Sequence, residues 1–434
     1  MDPQLQSQPQ RRKRIKKRRI AVEKSDIGEA KDESADWFVY ILLGIVFLSI
    51  CYIGFCFVKL NLKGTKDNVA ESFEKATSFK IKEHEGWNSG VNRFKIGQLK
   101  ASAEKLGVES ASLRNISGDL GIFDFLRSQF AGENLKVSKA DFVINWPLNA
   151  QEASLLKVGF PLHYGGGAID STNFKFTNDG KIMGGLEKAR TVIRANSIRI
   201  SDGKFSLFPF KNVNLTQANL KLEDQTVNVT DIKLQSWRKS SSFLLDSERE
   251  TIILDDVSFN DFLSMPKSPY DIRMNAGAAE CEAPELFFEP SSEGLSFAGQ
   301  VQLSEVTLSK LNFLRLIDLH VEGTNYRNIQ FFTDQFAQLD VAEGVIKLSE
   351  LDIHSPGKMD LKGWIQVDTT KRNALSGRFE LFLPAELVCN EYGNPVVRGF
   401  SAARDGTSKI EISLSGTLAL PKDNLSKLVG NTWK

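Results

Sequence analysis

The sequence predicts a mostly β protein with a single transmembrane helix near its N-terminus. Three observations carry this prediction: a long stretch without charges, strands in which apolar and polar residues alternate, and short polar turns between those strands. Helical spacing occurs only in short pieces of the chain. Because the connections between strands are short, the region after the transmembrane helix is expected to be mostly antiparallel sheet with a few short helices.

The predicted transmembrane helix covers residues 37–58, which read WFVYILLGIVFLSICYIGFCFV, 22 positions without a charge. At about 1.5 Å per residue such a helix spans roughly 33 Å, enough to cross a hydrocarbon core of about 30 Å. Trp37 and Tyr40 stand at its start, where amphipathic rings suit the headgroup layer. A signal peptide fits less well, since the apolar stretch is long and no small-residue cleavage site follows it. The helix is therefore expected to be retained as an anchor.

The flanking charges orient this anchor. Residues 11–19 carry eight positive charges in nine positions. Residues 1–36 are accordingly predicted to be a basic, disordered cytoplasmic tail. They hold 10 of the 55 Lys and Arg residues and 7 of the 54 Asp and Glu residues, so the rest of the chain is near −2. The positive-inside rule places residues 59–434 on the far side of the membrane, and their near-neutral charge gives no reason to expect nucleic-acid binding.

The C-terminal third alternates with period two, which predicts a sheet with one apolar and one wet face. The pattern is clearest in residues 359–368 and is repeated in two later strands. The residues selected as members of the shared apolar face are Leu361, Ile365, Val367, Phe379, Leu381, Leu383, Ile412, Leu414 and Leu418.

Turns and short helices complete the prediction. The turns predicted from Gly, Pro and polar clusters are Asp202-Gly203 between two strands, residues 223–225, and a hairpin at residues 355–358 (SPGK). The predicted short helices are residues 67–77, 121–131, 260–264 and 328–336. Serines at 240–242 and two prolines within 265–270 suggest a boundary. It divides the outer region into residues 59–240 and 241–434.

Two stretches resemble the AsmA-like family of bacterial envelope proteins. Residues 113–146, LRNISGDLGIFDFLRSQFAGENLKVSKADFVINW, are similar to the family's order of strand, short amphipathic helix and strand pair. Residues 331–383, which include LDVAEGVIKLSELDIHSPGKMDLKGWIQVD, are similar to its C-terminal unit. The resemblance implies a long curved sheet that forms a groove with an apolar inside. It also implies a role in phospholipid movement toward the outer membrane and in the integrity of that membrane.

The resemblance makes the nine apolar residues candidates for a lipid groove, because water rejects acyl chains at about 0.8 kcal/mol per exposed CH₂. Alternation alone fits a filled sandwich equally well. The expected function is a periplasmic lipid-binding or lipid-transfer scaffold, anchored in a bacterial inner membrane and supporting the outer membrane. Its expected partners are phospholipid or another envelope lipid, the inner membrane and other envelope proteins. The alternative is a non-transporting envelope assembly protein with a docking role.

The sequence offers no catalytic or cofactor motif, so neither an enzyme nor a cofactor is expected. Its four histidines lie far apart, without H-x-x-x-H or H-E-x-x-H spacing: His84, His163, His320 and His354. Cys281 and Cys389 are the only cysteines after the anchor. An oxidising compartment permits a bridge between them, and the sequence leaves that question open.

Overall fold

The computed structural model covers the whole chain. It describes residues 44–51, 54–55, 58, 62–64, 67, 71, 74, 80–89, 93–103, 107–119, 131–132, 134–145, 163–164, 166–194, 197–223, 226–238, 240–246, 251–265, 270–276, 287–291, 293–309, 311–321, 325–333 and 335–433. The chain divides into two compact units, residues 1–55 and 56–434.

In the first unit, residues 44–51 are helical and exposed. The predicted tail and residues 37–43 of the predicted anchor lie outside the described residues. Among the residues that are described, no helix is long and apolar enough to cross a membrane. The anchor at residues 37–58 stays a prediction.

The second unit is mostly strand. Its described strands are β1 Lys80–Glu85, β2 Asn88–Ser89, β3 Arg93–Ala103, β4 Val108–Asp119, β5 Ala131–Gly132, β6 Leu135–Asn145, β7 His163–Tyr164, β8 Gly166–Asn178, β9 Lys181–Arg194, β10 Ser197–Leu207, β11 Phe210–Glu223, β12 Thr226–Gln235, β13 Ser242–Asp246, β14 Thr251–Val257, β15 Tyr270–Ala276, β16 Phe287–Ser291, β17 Gly294–Ser309, β18 Asn328–Phe331, β19 Phe336–Ala342, β20 Val345–Ser355, β21 Met359–Asp368, β22 Ala374–Pro384, β23 Thr407–Gly416 and β24 Pro421–Asp423. Its described helices are α1 Phe259–Phe262, α2 Asn312–His320 and α3 Leu425–Val429, with a 3₁₀ turn at Ala385–Leu387.

Twenty-two of these strands form one sheet, which curls into a half-barrel. Most strands pair antiparallel with their neighbours in the chain, so the sheet is a long meander. Two junctions differ: β6 pairs parallel with β8, and β17 is long enough to pair with β15 and β16 on one side and with β18 and β19 on the other. β5 and β7 form a separate parallel pair. The predicted class, a mostly β chain with few short helices, is confirmed.

Three local predictions agree with the structure. The hairpin at residues 355–358 joins β20 to β21, and its Lys358 N–H donates to the Ser355 carbonyl at 2.9 Å. The turn predicted at residues 223–225 agrees with the pairing of Glu223 in β11 with Thr226 in β12, and residues 224 and 225 lie outside the described residues. The helix predicted at 260–264 is α1, which begins one residue earlier and ends two residues earlier.

Two local predictions are wrong. Asp202-Gly203 is not a turn between strands, because β10 runs through it and keeps its pairing on both sides. Asp202 has φ +60 inside the strand without shifting the register of either ladder, and a Cβ on Gly203 would come within 2.8 Å of the Ala189 Cβ. The helix predicted at 328–336 is also wrong, since β18 occupies its start and pairs with β17. The helix predicted at 121–131 lies almost wholly outside the described residues.

Two clusters of buried residues form the core of this unit. The larger one begins in β9 and continues to the C-terminus, and the smaller one lies on β3, β4, β6 and β8. β12 pairs with β13 across residues 240 and 241, so the hydrogen-bond ladder is continuous there. The division of the chain between those residues stays a prediction.

Candidate functional site

Eight of the nine residues predicted to share an apolar face do share one on β21, β22 and β23, and the ninth, Leu418, follows the end of β23. Gly363, Phe379 and Ile412 lie opposite one another on β21, β22 and β23, and their neighbours follow the same register. The exposed fractions are 0% for Leu361, Ile365, Val367, Leu381, Leu383, Ile412 and Leu418, 4% for Leu414 and 5% for Phe379. The face is therefore fully covered.

The protein's own side chains cover this face. Phe313, at the start of α2, packs in the same buried cluster as Leu361 and Ile365. The void among these side chains has a volume of only about 10 Å³, roughly the space of one water molecule. The nine residues thus line a filled interior here, and no room for an acyl chain exists among the described residues around them. The role of these residues as a lipid groove stays a prediction.

The carboxylate of Asp423 helps to hold α2 in the interior. It accepts a hydrogen bond from the Phe313 N–H at 2.8 Å and from the Leu425 N–H at 3.1 Å, so it serves the first turns of α2 and α3. Burial raises the pKa of Asp423, and the two backbone hydrogen bonds only partly oppose this shift.

The same sheet face continues toward the N-terminus as one uninterrupted row. We call this set of residues, each opposite the next on successive strands from β3 to β14, the long row. It consists of Ile96, Ile116, Val137, Ile169, Thr191, Ile200, Ala218, Ile232, Leu245 and Ile252. Nine of its ten members are apolar, so the apolar face runs across ten strands.

On β1 to β9 this face is covered less completely. Seven apolar residues pack on the smaller cluster while remaining partly buried, and we call them the partly buried face. They are Ile81, Trp87, Phe94, Leu113, Leu135, Phe142 and Ile193. Phe142 stacks on Phe174 of β8, with ring centroids 5.1 Å apart and an interplanar angle of 16°. Apolar surface is therefore left accessible on these strands.

Polar side-chain contacts link β8 to its two neighbours, β9 and β6. The Thr172 and Thr191 hydroxyls are buried and lie 2.8 Å apart. On the opposite face, Asn173 donates to Asp141 at 2.6 Å and Lys139 lies 3.0 Å from the same carboxylate. Burial raises the pKa of Asp141, but the hydrogen bonds from Asn173 and Lys139 outweigh it and lower the pKa below its ordinary value.

A buried ion-pair network ties the end of β12 to α1. The Arg238 guanidinium donates to both oxygens of Asp261, with Nε 3.1 Å from Oδ1, and to Asp271 at 3.1 Å. Asp261 is 0% exposed and also accepts the Ser258 N–H at 2.8 Å. Burial lowers the pKa of Arg238, but the hydrogen bond and charge of Asp261 outweigh it and raise the pKa. The network is thus a charged, fixed joint.

The remaining sequence candidates lie apart. His84 is 3.8 Å from Asp67, His320 stacks on Trp433 with centroids 5.5 Å apart, and His354 lies opposite Asp360. The described residues contain no group of three or more His, Cys, Asp or Glu side chains that could hold a metal ion. Cys389 is a buried free thiol, and Cys281 lies outside the described residues.

Comparisons with known protein families, with curated proteins and with solved structures found no match.

Sequence reasoning missed the long row because its alternation changes phase. Ile96 and Leu99 are both buried although they are three residues apart, and the same spacing separates Val137 from Ala140. Beside the row, the pairing among β3, β4, β6 and β8 skips Gly97, Asn115, Ser138 and Asp170. A search for two period-two segments joined by a one-residue shift would have found the row.

Proposed function

We propose that this chain is a lipid-binding or lipid-transfer scaffold, AsmA-like in kind. In this proposal residues 37–58 anchor it in a bacterial inner membrane, the sheet stands in the periplasm, and the scaffold supports the outer membrane. It carries no catalytic step and needs no cofactor. Its ligand is a phospholipid or another envelope lipid.

The observation that supports the proposal most is the continuous apolar face of the curled sheet. The long row crosses ten strands without a charged residue. A lipid needs such a surface for its chains, since each CH₂ removed from water contributes about 0.8 kcal/mol. Eight of its ten members are themselves buried, at 1–8% exposure, so the surface offered to a lipid chain is that of the partly buried residues beside the row.

The lipid-contacting part is placed on the partly buried face, not on the nine C-terminal residues. Phe142 and Phe174 retain accessible ring surface, whereas Ile365 and Leu381 are 0% exposed. Apolar rings that remain accessible can bury an acyl chain without displacing a packed neighbour. The C-terminal interior would first have to lose α2 or its other covering side chains.

The test is to purify the full chain in a mild detergent and identify its bound molecules by native mass spectrometry. The wild-type chain is expected to carry phospholipid in stoichiometric amount. Phe142→Asp places a carboxylate on the partly buried face, where it can stay hydrated, and is expected to reduce bound lipid severalfold while the fold survives.

Gln98→Asp is the matched control, because it adds the same charge to a partly buried position on β3 that lies opposite Arg114. It should leave bound lipid unchanged. Wild-type protein that carries a stoichiometric protein partner and no lipid would favour the docking role instead. Equal lipid on wild type and Phe142→Asp would remove this face from the binding surface.

A further inference from the structure

A groove with a volume of about 880 Å³ lies on strands β9 to β13, on the face opposite the long row. Its Val192 and Arg199 lie opposite each other, each one position along its strand from Thr191 and Ile200 of that row. Neighbouring positions of a strand point to opposite faces. The groove is therefore separate from the apolar face, and its size is that of a small-molecule site.

One end of the groove is positively charged. Four exposed cationic residues line it, and we call them the basic end: Arg190, Arg194, Arg199 and Lys221. In the pairing of β9 with β10, Arg190 lies opposite Ser201 and Arg194 lies opposite Ser197. Arg199 lies between these two serines on β10, so both arginines of β9 are its diagonal neighbours. Diagonal neighbours of this kind lie about 7–8 Å apart, so the three guanidinium groups can reach one ligand.

In the described part of the chain, no carboxylate lies within 4.0 Å of Arg190, Arg194 or Arg199. Arg199 donates instead to the neutral Gln217 amide oxygen at 2.7 Å. The carboxylates of the groove, Asp231 and Asp246, stand on β12 and β13, toward its other end.

We propose that the basic end binds a phosphate-bearing anion, a phosphate monoester or diester. Guanidinium groups pair with phosphate through two parallel N–H···O bonds, and serine hydroxyls donate to the remaining oxygens. Ser197, which also lines the groove opposite Arg194, offers such a hydroxyl, whereas the Ser201 hydroxyl donates to the Asp202 carboxylate at 2.8 Å. Like charges on neighbouring strand positions repel one another, so a bound anion also relieves that repulsion. The same chemistry is offered by a soluble phosphate ester and by a phospholipid headgroup.

The experiment measures binding by isothermal titration calorimetry to the full chain held in amphipol. The probes are inorganic phosphate, glycerol 1-phosphate and dihexanoylphosphatidylglycerol below its micelle concentration. Arg199→Gln and Arg194→Gln are each expected to weaken binding of the phosphate probes about 10- to 100-fold, the loss typical for hydrogen bonds to a charged group. Raising the salt concentration should weaken wild-type binding, because exposed charges are screened.

Arg114→Gln is the matched control, since Arg114 is an exposed strand arginine outside the groove. It should bind like wild type. Binding of the short-chain lipid alone assigns the site to a headgroup, and equal binding of glycerol 1-phosphate assigns it to a soluble ester. The proposal is overturned if no probe binds, if the groove variants bind like wild type, or if hexaglutamate binds more tightly than every phosphate probe.

Discussion

The two ends of this sheet carry the same kind of apolar face and cover it differently. On β21 to β23 the face is buried at 0–5% exposure beneath α2 and neighbouring strands, with a void of only about 10 Å³. On β1 to β9 seven apolar residues of the face remain partly buried. Alternation thus determines which side chains share a face, but elements distant in sequence determine whether anything covers them.

The difference also separates stability from binding. In the filled region, each apolar side chain contributes through close packing, and a void or a charge there is costly. In the partly buried region, the same residue types keep accessible surface. A substitution there should therefore lower the free energy of unfolding by less, and more apolar surface is available to a ligand. Three substitution experiments and one pH experiment test this contrast.

The largest effect is expected for Ile365→Asp. The side chain is 0% exposed and would place an unpaired carboxylate among packed apolar groups. The cost of several kcal/mol is a large share of a total stability of about 5–15 kcal/mol, so the variant should unfold or melt far lower. Gln366→Asp, on the other face of β21 and half-buried, is the control in thermal melts. A folded Ile365→Asp protein with wild-type melting would mean that this interior opens readily.

The joint between β12 and α1 should be nearly as sensitive. Asp261→Ala leaves the Arg238 charge without its fully buried partner and is expected to cost about 3–5 kcal/mol. Asp271, whose side chain is 30% exposed, contacts the same guanidinium, so Asp271→Ala should cost clearly less. Urea denaturation of both variants measures the difference. Equal losses would show that burial of the partner is not what makes this joint costly to break.

A smaller effect separates the two regions directly. Leu381→Ala removes a side chain with 0% exposure and should cost about 2–5 kcal/mol, as cavities in filled cores do. Phe142→Ala removes a larger side chain, but one that is only partly buried, and should cost less than Leu381→Ala. Urea denaturation of each variant gives the comparison. A greater loss for Phe142→Ala would show that the two regions are equally packed.

The accuracy of the sequence prediction follows the same division. Regular alternation gave the bounds of β21 and the shared face of eight of the nine C-terminal residues, because nothing in these strands shifts the phase. It could not say that Phe313 would fill the space above that face, since α2 is about fifty residues away in sequence. The prediction of a turn at Asp202-Gly203 was wrong for a local reason: a residue with positive φ can lie inside a paired strand as well as in a turn.

The opposite pKa shifts of two carboxylates lead to the smallest predicted effect. Hydrogen bonds from Asn173 and Lys139 lower the pKa of Asp141, in spite of its burial. The charged Asp141 carboxylate therefore stabilises the fold above the ordinary aspartate pKa of about 4. This stabilisation is lost as the pH falls through the lowered pKa that Asp141 has in the folded protein. Burial raises the pKa of Asp423 in the filled region, so the folded protein gains a proton there before the unfolded chain does. That uptake stabilises the fold as the pH falls through the raised value toward about 4.

Melting temperatures of wild type, Asp141→Asn and Asp423→Asn between pH 7 and pH 3 test these signs, because an amide cannot titrate. On acidification, wild type should lose stability relative to Asp141→Asn, mainly below about pH 4, where the lowered pKa of Asp141 lies. Wild type should gain stability relative to Asp423→Asn at a higher pH, before that loss begins. Both shifts are expected to be a few degrees at most. If the differences in melting temperature between wild type and the two variants change in the same direction on acidification, the two carboxylates do not lie in opposite environments. That result would remove one part of the contrast between the two regions.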